Sequence, residues 1–165
     1  MTPAITLEEL LAWNDEASNF WKAYFDANPA LLRLPCSIDD SGSVQVFVRH
    51  IWAAELRWSQ RIARLQVTNR EDLPAGPLDA LFDLHLKAFK IFRAQLGDPQ
   101  KNWDEVITMD YPWLPPKNRA ASLRKIAAHA LFHSQRHWAQ LATLVRAAGF
   151  PSEFMGDAIF SSALL

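Results

Sequence analysis

Apolar residues recur at helical spacing in four stretches of the chain, and those four stretches contain no interior glycine or proline. They cover about residues 4–28, 43–73, 77–96 and 117–148. Interior glycine and proline cost a helix roughly 1 and 3 kcal/mol, so their absence permits helices there, and the periodicity predicts them. The first stretch opens on Thr6-Leu7-Glu8-Glu9, a capping-box pattern. Its stripe is Leu7, Leu10, Leu11, Ala17, Trp21, Tyr24 and Phe25, interrupted by the polar Asn14 and Ser18. The second helix is predicted to start at Ser43 and to carry Phe47, Ile51, Ala54, Trp58, Ile62 and Leu65 inward. The third starts near Pro77, a favoured first-turn residue, and ends before Gly97. The fourth runs from about Asn118 to Ala148 and stops at Gly149, with Pro151 beyond. Its stripe is Ile126, Ala130, His133, His137, Leu141, Leu144 and Ala148.

Four such helices predict an all-α four-helix bundle in one domain spanning 1–165. The linkers at about 29–42 and 97–116 are roomy enough for a crossover. The β-prone run Val106-Ile107-Thr108 predicts a short hairpin between the third and fourth helices.

Composition adds exclusions. Lys plus Arg number 17 and Asp plus Glu 18, giving a formal charge of −1, which argues against a nucleic-acid partner. No apolar run reaches the roughly 18 residues of a membrane span. The single Cys36 cannot make an intrachain disulfide, and Met1-Thr2-Pro3-Ala4 has no basic leader pattern. The expectation is a cytoplasmic domain with no membrane or nucleic-acid partner. Its apolar tail after Gly149 docks on the bundle or on a partner subunit. Glu-x-x-His, His-Glu-x-x-His, P-loop and Cys-x-x-Cys motifs are all absent.

The candidate chemistry lies in three histidines spaced four and four, His129, His133 and His137. Neighbouring members share a helix face and two imidazoles at that spacing can converge on one ion. The outer two lie about 12 Å apart along the axis, so one ion takes one adjacent pair. His133 and His137 fall near the centre of the stripe, and His129 lies to one side. A third ligand must come from another helix, where His50 and His85 are the histidine candidates. Spacing alone does not choose between them. Three ligands and an open fourth position are the mark of a catalytic site. Asn14 and Ser18 would line that position, and His129 is the candidate accessory acid–base group. Glu55, five residues after His50, points to another face of its helix.

Two segments resemble the DinB/YfiT-like family of four-helix metalloenzymes. One is SVQVFVRHIWAAELRW, residues 43–58; the other is IAAHALFHSQRHWAQL, residues 126–141. The second is similar to the family's H-x-x-x-H-R-G-Q-L helix, with Trp138-Ala139 in place of Arg-Gly and Gln140-Leu141 retained. The resemblance implies that His50, His133 and His137 bind a divalent metal, with zinc or nickel the leading identities. It implies an up-down-down-up bundle, often a homodimer. It also implies metal-dependent chemistry on a small-molecule substrate, by activated water or with a low-molecular-weight thiol. The alternative is a non-catalytic metal-binding or structural dimerisation module. A metal sealed by tail residues such as Phe154 or Phe160 would favour that alternative.

Overall fold

The computed structural model describes residues 5–109, 115–116, 119–154 and 156–164. Its order is α1 (Leu7–Ala27), β1 (Pro35–Cys36), β2 (Gly42–Ser43), α2 (Val44–Ile62), α3 (Leu78–Leu96), β3 (Val106–Thr108), β4 (Ala120–Ser122) and α4 (Leu123–Ala147), with short 3-10 turns in the connections. Four helices and two small sheets make the protein mostly helical. Among the described residues, no helix is long and apolar enough to cross a membrane.

Each helix start follows from local chemistry. The Thr6 hydroxyl accepts from the Glu9 amide while the Glu9 carboxylate accepts from the Thr6 amide, closing the capping box on α1. Ser43 caps α2 and Ser122 caps α4 through their side-chain oxygens. Pro77 sits at the cap of α3, one position earlier than a first-turn residue. α4 therefore begins at Leu123 rather than near Asn118, which lies outside the described residues. The preceding segment is held as β4 by antiparallel pairing with β3, Val106 opposite Ser122 and Thr108 opposite Ala120. The β-prone run is thus a strand, but its partner is Ala120–Ser122, at the start of the stretch whose periodicity predicts the fourth helix.

α2 ends earlier than its glycine-free stretch suggests. Ala63 caps it, Arg64 turns left-handed at φ 59°, and the Leu65 and Arg64 amides donate back to Gln60 and Arg61. This is a Schellman stop built on arginine instead of glycine. The following connection to α3 is tied down by α2 itself. Arg49 donates to the carbonyls of Arg70, Leu73 and Pro74, Arg57 to that of Thr68, and Gln60 exchanges bonds with Thr68.

α2 packs against both α3 and α4, as does α1, so the core runs between all four. At one end Trp138 of α4 stacks on Trp21 of α1 at 5.9 Å and meets Trp52 of α2 at 5.7 Å. At the other, Leu10, Leu11, Ile62, Phe92, Ile126 and Leu131 form a second apolar cluster. After α4 the chain returns to α1: Phe154 packs on Phe20 and Trp21, Tyr24 donates to Pro151, and Ser161 donates to Glu16.

Candidate metal centre

His50 on α2 and His133 and His137 on α4 come together where these two helices pack. One nitrogen of each lies within 4.8 Å of the others. The Nε2 atoms of His133 and His137 are 3.1 Å apart, and the His50 ring lies 5.2 Å from each of their rings. The His137 Nδ1–H donates to Gln140 Oε1 at 2.7 Å, which leaves the Nε2 lone pair facing its neighbours. The Nε2 of His50 is buried and has no hydrogen-bond partner among the described residues. A buried polar atom left this way costs about 1–3 kcal/mol unless something fills the gap.

The electrostatics point the same way. Burial, helped by His137, His50 and Arg136, pushes His133 down to about 3. Burial also lowers His50, with the His137 ring adding to it, and lowers His137 against the opposing Gln140 bond. Three imidazoles biased toward the neutral form, with one nitrogen of each within 4.8 Å of the others, fit a divalent ion.

His50 and His133 border a cavity of about 510 Å³ that is reached from solvent, with His137 buried behind them. His129 lies on its rim, exposed, with its ring 5.3 Å from Trp58 and 5.8 Å from His133. Arg49, Arg57, Arg61, Arg70 and Arg136 also line it, with Asp39 and Asp40 on the same wall. Five of the chain's 17 basic residues thus gather at one concavity of a protein whose net charge is −1. Among the described residues, Arg49, Arg57, Arg70 and Arg136 are ion-paired with no carboxylate. Asp39 Oδ2 stands 3.6 Å from His50 Nε2 and 3.4 Å from His137 Nε2.

Asn14 and Ser18 do not line this cavity. Both are buried against α2, where Ser18 accepts from the Trp52 indole and Asn14 donates to Glu55. Nor does His85 approach the trio. Its two ring nitrogens meet Glu55 Oε2 at 2.7 Å and Asp15 Oδ1 at 2.9 Å. Burial pulls its pKa down, but Glu55 and Asp15 outweigh that and hold it up at about 9. Glu55 does face away from the histidine trio, yet only 2% of it is exposed. The sequence signals did not reveal Asp39 or the arginine lining: Asp39 and Arg70 lie in connections that carry no periodicity, and Arg49, Arg57, Arg61 and Arg136 lie on helices but outside the apolar stripes.

No family model matches the chain, and no curated protein matches it.

Proposed function

We infer that this protein is a divalent-metal-dependent enzyme acting on a small anionic molecule, with His50, His133 and His137 holding the ion. The observation that carries this reading is a close trio of imidazoles, biased toward the neutral form, beside a solvent-reached cavity. Bound there, a divalent ion would supply Lewis acidity, enough to acidify water or to hold a thiol as thiolate. The residues of the chain supply the rest. Arg70 and Arg136, exposed at the cavity, attract and orient an anion, while Trp58, Ala53 and Ala54 give it an apolar wall. His129 stands at the rim as the candidate proton carrier.

The DinB/YfiT-like resemblance supports the same reading, as does a bundle ordered up-down-down-up. Asn14 with Glu55 and Ser18 with Trp52 pair in opposite senses along α1 and α2. Trp52 with Phe82 and Glu55 with His85 pair in the same sense along α2 and α3. Phe47 with His137 and Trp58 with His129 run opposite along α2 and α4. Tail residues over the histidines would have favoured the structural-module alternative, whereas Phe154 packs on α1 and no described tail residue lines the cavity.

The test is metal analysis of purified wild type beside His133→Ala. Near-stoichiometric metal in wild type and little in the variant is the expected result. Equal, negligible metal in both, even after reloading with zinc or nickel, would sink the proposal.

A further inference from the structure

Asp39 is placed in a way that its own turn does not require. It sits in the tight turn between β1 and β2, with φ 49° and ψ 36°, and Asp40 follows at φ 53°. Two consecutive left-handed residues that are not glycine are uncommon, and such backbone costs of order 1–3 kcal/mol per residue. The turn is clamped in that shape. Pro35 pairs with Ser43 and Cys36 with Gly42, while the Ser41 amide donates to Ile38 and the Val44 amide to Leu34. The clamp delivers the Asp39 carboxylate to the solvent side of the histidines, where its side chain is 48% exposed.

We propose that Asp39 is a fourth protein ligand to the ion held by His50, His133 and His137, making the centre a three-histidine, one-carboxylate set. This rests on the metal reading above. The separations of Asp39 from His50 and His137 carry it, while His133 lies farther from Asp39 than either, so full coordination would draw the turn inward. Two atoms bound tetrahedrally to one ion at about 2.0–2.2 Å lie about 3.3–3.6 Å apart. Asp39 Oδ2 is 3.4 Å from His137 Nε2 and 3.6 Å from His50 Nε2, while His133 and His137 are 3.1 Å apart. Hydrogen bonding does not explain the first two distances. An N–H to oxygen bond has its donor and acceptor about 2.7–3.2 Å apart. The His137 proton is moreover already committed to Gln140 through Nδ1. No hydrogen bond to the Asp39 carboxylate is made by the described residues.

The chemistry is consistent. A carboxylate adds negative charge where Arg136 approaches His137 Nε2 to 3.1 Å, and a hard oxygen donor alongside three imidazoles suits zinc, nickel or ferrous iron. Asp39 lies on a turn, whereas the other three lie on helices. It is therefore the ligand best placed to be exchanged for an outside anion, which keeps a closed resting centre compatible with an enzyme.

The test uses the full chain and reads metal binding, not turnover. Zinc affinity is measured by chelator competition for wild type, Asp39→Asn, Asp39→Ala and Asp40→Asn, with visible spectra of the cobalt-loaded forms. Asparagine tolerates left-handed backbone as aspartate does, so Asp39→Asn keeps the turn and changes the donor alone. Both Asp39 variants should bind zinc at least about tenfold more weakly and lose the wild-type cobalt spectrum, while Asp40→Asn keeps both. Wild-type affinity and spectrum in Asp39→Ala would overturn the fourth ligand and leave the three-histidine centre standing. A wild type that binds neither metal would overturn both.

Discussion

Two polar clusters lie on α2, five residues apart, and they solve burial in opposite ways. Around Glu55, a histidine meets carboxylates: His85 donates from both ring nitrogens, to Glu55 and Asp15, and Asn14 donates to the second Glu55 oxygen. The charges complement one another, and every polar atom of Glu55 and His85 has a partner, with only the Asn14 amide oxygen left over among the described residues. Around His50, histidines meet histidines, and burial with mutual repulsion biases them toward the neutral form. Donors and acceptors do not balance there, and His50 Nε2 is left without a partner. A histidine among carboxylates is explained by the fold alone. A histidine among histidines asks for something from outside.

The comparison breaks most visibly in stability. Replacing Glu55 by alanine leaves the buried His85 imidazolium with Asp15 alone and should cost about 3 kcal/mol in denaturant unfolding, with zinc affinity kept. Replacing His133 by alanine should cost the metal-free protein about 1 kcal/mol or less, since its ring leaves no paired charge behind. If the two costs were alike, the contrast between closed and open clusters would fail.

Next in size is a pH effect confined to the closed cluster. His85 is held at about 9 in the folded chain against an ordinary 6.5. A raised folded value means the stabilisation is fully present below about pH 6.5 and is lost as pH rises through about 9. Unfolding free energy should therefore fall by a few kcal/mol between pH 7 and 10, and His85→Gln should flatten that fall. A wild-type profile as flat as the variant's would show that His85 is not charged in the fold.

The smallest effect belongs to the open side. Arg70→Gln should weaken binding of succinate, a small dicarboxylate probe, about three- to tenfold in calorimetric titration, and added salt should mimic it. Lys90→Gln, on the exposed face of α3, serves as the control. Equal affinity in all three proteins would remove the anionic substrate class.

Much of this was legible along the chain, and the gaps have causes. Thr6 and Glu9, Ser43 and Gly149 announced their helix ends because capping uses short-range chemistry. The end of α2 was silent because Arg64 took the left-handed place that glycine usually marks. His133 and His137 stand out by spacing, which leaves His50 and His85 open; the family resemblance names His50, and packing brings His50 to the pair. Glu55 was assigned correctly to a face away from His50. On most helices that would mean solvent, but α2 is wrapped by α3 as well as α4 and has almost no outer face. Asn14 and Ser18 break a stripe because they answer buried partners on α2, away from the cavity beside the histidines. Asp39 owes its position to a turn between two-residue strands, which no periodicity could reveal.

The bonds from Arg49, Arg57 and Gln60 to the connection between α2 and α3 have a consequence for recognition. Side chains anchored on a helix fix the backbone around Thr68 and Leu73, so the cavity wall is ordered before any guest arrives. Arg49 and Arg57 are immobilised in the same act, with their charge kept and their rotamers already chosen. Ordering such a side chain on binding costs about 0.5–1.5 kcal/mol, and here folding has met that cost in advance. A rigid wall of this kind would favour selectivity by shape in any ligand the cavity takes.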